Sequence, residues 1–156
     1  MMAPIDNFFR AAALWPDRVA VEISHVDCIE EIKYAKLADM TRAVAVGLQS
    51  IDSHPQSRVG ICAYNSFEHL LGWLATFAAG KVWVPLNPRN GRSELDRIID
   101  LTAPSIIIFD ADCDKKFGFV STHLLGGKDG KTVQRANSDM MELVAENIGK
   151  VPIRYP

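Results

Sequence analysis

Residues 126–132, Gly-Gly-Lys-Asp-Gly-Lys-Thr, have the composition of a phosphate cradle, in which backbone amides of a glycine turn and a lysine ammonium hold anionic oxygens together. The spacing falls one residue short: a Walker-type loop needs glycine at position 125, where the chain has Leu125, and no strongly apolar helix opens at Thr132. A solvated glycine loop is the expectation; a small nucleotide-binding α/β domain built on this loop is the outlying alternative. His25, His54, His69 and His123 include no pair at helical spacing and no adjacent cysteine or carboxylate in a metal-ligand pattern, so no metal site is expected. Cys28, Cys62 and Cys113 lie far apart with no CxxC pair, and an odd count without a secretory leader points to reduced thiols in the cytoplasm. No GxSxG elbow marks a serine nucleophile, and the turn Tyr64-Asn65-Ser66 lacks the glycines of a dinucleotide fingerprint. No residue is assigned a catalytic role.

The elements that must position any site are clearer. A short amphipathic helix capped by Asp6 or Asn7 is expected through Leu14, with Phe8, Phe9, Ala12 and Ala13 inward and Trp15-Pro16 ending it. Residues 19–23 and 29–34 read as two antiparallel strands, a small ribbon at an edge. From Ala35 to Ile51, Leu37, Met40, Val44, Leu48 and Ile51 recur at steps of three and four, one face of a helix. Residues 58–64, 82–86 and 105–110 are near-continuous apolar runs suited to strands buried on both faces. Between them lie a helix capped by Asn65-Ser66 and stopped at Gly80, and a second capped by Ser93 and broken at Ala103-Pro104. This alternation predicts an α/β fold with a layered, mostly parallel sheet, flanking helices and right-handed crossovers. A further strand in residues 117–125, a flexible loop at 126–131, a helix over 138–147 with Met141, Leu143 and Val144 apolar, and an extended segment from Gly149 complete the reading.

At 156 residues, 48% apolar and 23% charged, the chain is the size and composition of one globular domain. A net charge of −2 and scattered basic residues argue against nucleic acid as a partner. The N-terminal residues lack the basic and apolar regions of a signal peptide, and the longest apolar-rich run, residues 70–79, is about half of what a membrane span needs. A soluble, cytoplasmic protein is expected. Trp15, Trp73 and Trp83 fall on separate elements and read as core or interface.

Three segments, in order and in register, resemble the adenylate-forming (AMP-binding) superfamily of acyl-CoA synthetases, peptide-synthetase adenylation domains and luciferases. Ile32-Lys-Tyr-Ala-Lys-Leu37 is similar to its early Thr-Tyr-x-x-Leu element. Arg58-Val-Gly-Ile-Cys-Ala-Tyr-Asn-Ser66 is similar to its Asp-Arg-Val-Ala-Ile strand and Asn-Ser cap. Ala79-Gly80 through Pro85-Leu86-Asn87-Pro88, followed by Glu94-Leu95, is similar to its Ala-Gly-Ala-Val-x-x-Pro-Leu-Asn-Pro block. The Asn-Pro ending looks more like an acyl- or aryl-CoA ligase than a peptide-synthetase module.

The resemblance implies an enzyme that activates a carboxylic acid with ATP and Mg2+ to an acyl-adenylate and passes the acyl group to CoA. It also implies that the family's Ser/Thr/Gly-rich phosphate loop, its acidic Mg2+ residue, its ribose-gripping Asp and its C-terminal lysine would follow Pro156. On this reading residues 1–150 are an N-terminal α/β subdomain and 151–156 a linker towards the phosphate loop. The chain alone is then inactive, binds no cofactor, and self-associates through an apolar face that the rest of the synthetase would cover. Arg89, directly after Asn87-Pro88, is the one position for which the resemblance implies a ligand, a CoA phosphate, which a guanidinium suits by charge and forked geometry. Read by itself, Arg89 is also an ordinary surface arginine. The alternative is a stand-alone, non-catalytic binding or oligomerisation module of the same fold.

Overall fold

A computed structural model describes residues 3–110, 113, 123–124 and 136–155. Helix α1, Pro4–Leu14, opens two residues before the expected cap. Pro4 suits a first helical position because it has no N–H to leave unpaired there and its φ is preset, and Asp6 sits inside the first turn, accepting from the Ala3 N–H at 3.0 Å. Ala12 is buried as expected, whereas Ala13 is exposed. Strands β1, Val19–Ser24, and β2, Ile29–Lys33, pair antiparallel as a separate two-stranded ribbon.

Helix α2, Tyr34–Ile51, follows β2 without a break. It is buried on more than the expected stripe, with Ala38, Thr41, Ala45 and Gln49 joining Leu37, Met40, Val44 and Leu48, while Ile51 is exposed. The cause is tertiary: α1, Pro4–Leu14, and two later helices all pack on it. Gly47 is one of the positions that permit this, since a Cβ there would meet Leu143 at 2.7 Å.

The second sheet is parallel. Strand β3, Arg58–Cys62, lies between β4, Val82–Pro85, and β5, Ile106–Phe109, and β6, His123–Leu124, adds beyond β5, giving the order β4-β3-β5-β6. Gly60 faces Ile107 and Val84 across the two registers, and Ile61 faces Ile108 and Pro85. Helix α3, Phe67–Ala78, connects β3 to β4; helix α4, Arg92–Thr102, carries the chain back past β3 to β5. The two lie on opposite faces. One core joins α2, α3 and helix α5, Ala136–Asn147, to the sheet through Leu48, Leu71, Ile61, Ile108, Met140 and Val144. The other seats Leu95 and Ile99 of α4 against Cys62, Val84, Ile107 and Phe109. On α5, Met140 and Val144 are buried, Leu143 packs against the same core, and Met141 is exposed.

Helix ends follow local chemistry. Ser66 caps α3, its Oγ accepting from the His69 N–H at 3.1 Å. Gly80, at φ +69, closes the same helix with bonds from Gly80 N to Phe77 O and from Lys81 N to Thr76 O, both 3.0 Å. Helix α4 starts from Gly91 and not from Ser93, and it ends at Ala103 in the left-handed region, φ +42. Residues 151–155 have no regular secondary structure but are tied down. Gln49 donates to Ile153 O at 2.7 Å and accepts from Ile153 N at 2.8 Å, and the Tyr155 hydroxyl donates to Ser53 O at 2.7 Å. The glycine loop at 126–132 and most of the strand expected at 117–125 lie outside the described residues.

Candidate functional site

In a parallel sheet with helices on both faces, ligands bind beyond the carboxyl ends of the strands, where the chain turns to opposite sides. Here that switch point falls between β3 and β5, because α3 leaves one face and α4 serves the other. The loops at this end are Tyr64-Asn65-Ser66 after β3, Asn87-Pro88-Arg89 after β4, and the turn from Asp110 after β5. Asp110 ties two of them together: its Oδ2 accepts from the Tyr64 N–H at 2.8 Å and its Oδ1 from the Cys113 N–H at 3.1 Å. This residue carried no role in the sequence reading, although an aspartate directly after a four-residue apolar strand was the available signal.

Arg89 stands at the same end and is exposed. Its N–H donates to the Asn87 Oδ1 at 2.9 Å, and the Asn90 N–H donates to the Asn87 carbonyl at 3.0 Å, so the asparagine side chain builds the turn that presents the arginine. Among the described residues no carboxylate is paired with the Arg89 guanidinium. The other motif residues are architectural: Tyr34 begins α2 and rests 6.3 Å from the Phe8 ring, and Pro85 ends an edge strand.

Two buried cysteines, Cys62 and Cys113, share the pocket under α4. Burial raises the Cys113 thiol far above its ordinary value, and the neighbouring Asp110 and Cys62 raise it further, so it is held as an inert thiol. Among the described residues no group of three His, Cys, Asp or Glu side chains could hold a metal ion, and no helix is long and apolar enough to cross a membrane.

The opposite end of the sheet holds a polar cluster that the sequence reading missed. The side chain of Lys81 is 0% exposed, and its Nζ donates to Asp52 O at 2.7 Å, Ser57 Oγ at 2.7 Å and His54 O at 3.2 Å, with Asp52 Oδ2 3.9 Å away. Burial pushes the Asp52 carboxyl up, but hydrogen bonds from Ser105, His54 and Ser57 outweigh it and hold the group well below the usual carboxylate range. Burial lowers Lys81, opposed by the charge on Asp52. All three ammonium protons are used, and the cluster sits where the strands begin, so it locks the loops before β3, β4 and β5 and leaves nothing to offer a substrate. A lysine in a Gly-Lys-Val string gives no local sign of this, because its partners come from 24 to 29 positions away.

A third feature lies between α3 and the edge strand β4, where an open cleft of about 390 Å3 is lined by Asn65, Ser66, His69, Leu70, Trp73 and Trp83. Trp73 and Trp83, on separate elements in the sequence, meet there edge to face.

Known proteins share both pattern and architecture. The AMP-binding enzyme family matches residues 8–149. Polyketide synthase PksN of Bacillus subtilis is 27% identical over 151 residues, which cover 92% of this chain and 3% of that protein. The structure of Klebsiella oxytoca NpsA in complex with 3-hydroxyanthranilyl-AMSN superposes with a TM-score of 0.77 at 21% identity, over 99% of this chain and 29% of that one. The fatty acid AMP ligase from Legionella pneumophila gives 0.64 at 24% identity, over 72% of this chain and 20% of that one. At these identities the two structures establish the fold, and this chain spans only a small part of each relative's length. With the motifs, the parallel sheet order and the match over nearly its whole length agreeing, the chain belongs to the AMP-binding enzymes, the adenylate-forming superfamily, and corresponds to the N-terminal α/β region of that fold.

Proposed function

We propose that residues 1–150 serve as the scaffold subdomain of an enzyme that joins a carboxylic acid to ATP, releasing pyrophosphate and leaving an acyl-adenylate, and then transfers the acyl group to the thiol of CoA with release of AMP. The observation that carries this reading is the family match over residues 8–149 on a sheet whose switch-point loops are built by Asp110 and Asn87. Residues 151–156 lead, on this reading, to the ATP phosphate loop. Arg89 is the residue of this subdomain assigned to the acceptor, a CoA phosphate. Its exposure and lack of a carboxylate partner among the described residues support that role. ATP, Mg2+ and CoA belong, on this reading, to the longer enzyme, whose phosphate loop steadies the charge that develops on the phosphates, and the 156-residue chain alone is inactive.

The test uses the enzyme that contains this subdomain. Arg89→Ala should raise the KM for CoA while leaving ATP–pyrophosphate exchange with the acid unchanged; an equal loss in both half-reactions would defeat the assignment. A second reading, transfer to the pantetheine thiol of a carrier protein, is favoured by the relatives named as polyketide and peptide synthases, PksN and the nonribosomal peptide synthetase agiA of Aspergillus flavus among them. Thioester formation on a carrier protein but not on free CoA would establish it in place of the first. A stand-alone, non-catalytic module would show neither half-reaction in any context. Exposed Leu101, Val151 and Ile153 support self-association of the isolated chain, which sedimentation over a range of concentrations measures.

A further inference from the structure

The turn at Gly80 folds β4 back along α3 and brings Trp83 beside Trp73, with ring centroids 6.1 Å apart and planes at 84°. Phe77 also packs edge to face with Trp73, at 5.2 Å and 87°. This aromatic corner, with Leu70, forms the apolar wall of the cleft of about 390 Å3, near the lower end of the roughly 300–1,000 Å3 typical of small-molecule sites. The space suits one or two fused rings and is too small for a long flexible chain.

The rim is polar and specific. His69 Nδ1 lies 3.3 Å from the Tyr64 carbonyl oxygen, which can only accept, so Nδ1 carries the proton and Nε2 of the neutral ring is left with its lone pair. Ser66 Oγ accepts from the His69 backbone N–H and keeps its own proton to donate. An acceptor and a donor thus stand one helical turn apart at the mouth of an aromatic pocket. A hydroxyl, which donates and accepts at once, satisfies both; a carboxylate would set its lone pairs against that of Nε2.

We propose that this cleft binds a small hydroxylated aromatic molecule, its ring against Trp73 and Trp83 and its hydroxyl between His69 and Ser66. Arg89 does not line the cleft, so the site is separate from the acceptor position proposed above and does not depend on it.

The experiment uses the whole 156-residue chain with 5-hydroxyindole and indole as probes. In a proton–nitrogen correlation spectrum the three tryptophan side chains give separate indole signals, and Trp15→Phe identifies the one that is not in the cleft. Addition of 5-hydroxyindole should shift the Trp73 and Trp83 signals saturably and leave Trp15 in place. Indole should bind about tenfold more weakly, the worth of two modest hydrogen bonds at an open site. His69→Phe removes one of the two hydroxyl partners and should cut that preference to about threefold while indole still binds, and Leu70→Trp, which fills the cleft, should abolish binding of both. Each variant is checked for native circular dichroism. Three outcomes would overturn the proposal: no saturable shift at Trp73 and Trp83, a hydroxyl preference undiminished by His69→Phe, or shifts at these two tryptophans that follow protein concentration and not ligand, which would mean that a second copy fills the cleft. None of these readouts involves ATP, CoA or acyl transfer.

Discussion

Replacing Lys81 by methionine keeps the aliphatic stem in its buried channel and removes only the ammonium. The structure gives the scale of the loss. Three hydrogen bonds, to Asp52 O, His54 O and Ser57 Oγ, disappear, and the Asp52 carboxylate, with 10% of its side chain exposed, keeps its charge without the neighbouring cation. Breaking a buried pair by removing one partner costs about 3–5 kcal/mol. Two circumstances reduce this: the variant no longer desolvates an ammonium, and water can reach the His54 carbonyl in an exposed turn. A loss of about 3 kcal/mol remains, or roughly 6–12 °C in Tm for a chain of this size. Urea denaturation followed by circular dichroism at pH 7 measures it. Adding Asp52→Asn removes the stranded charge, so the double variant should be more stable than the sum of the two single losses predicts. A single-variant loss below about 1 kcal/mol, or strict additivity in the double variant, would refute the claim that this pair anchors the loops before the strands.

Gly80→Ala should be costly for two separate reasons, the positive φ of +69 and a Cβ placed 2.7 Å from Tyr155 Cδ2, and Tyr155→Ala should recover only the second part when combined with it; equal stability of Gly80→Ala and wild type in urea would contradict both. Because the folded Asp52 carboxyl is held below its unfolded value of about 3.9, its contribution is complete above that pH and is lost as pH falls through the folded value, so Asp52→Asn should flatten the acid limb of a stability–pH curve and leave neutral to alkaline behaviour parallel to wild type. Asp110→Ala should release the Tyr64 and Cys113 amides and increase hydrogen exchange at both, while exchange at Ile153, held by Gln49 elsewhere, stays unchanged.

Local chemistry was legible wherever the deciding atoms lie within a few residues. The periodicity of α2, the Ser66 cap, the Gly80 stop and the three apolar strands all rest on backbone propensity and nearest-neighbour hydrogen bonds, and each stands where it was expected. Errors came at ends decided by competing local options. Pro4 started α1 ahead of Asp6, and Gly91 capped α4 ahead of Ser93, since a proline or glycine already meets the backbone requirement of a helix entrance.

The sequence by itself determined the alternating α/β order and, through three motifs in register, the adenylate-forming family, because strand burial and helix termini are written in runs of adjacent residues. Tertiary structure alone decided which groups meet: Asp110 reaching Tyr64 across the switch point, Lys81 enclosed by the Asp52-to-Ser57 turn, Gln49 gripping Ile153, and Trp73 standing against Trp83. These contacts depend on how parallel strands and their crossovers stack, a distance relation between residues far apart in the chain that no local spacing records.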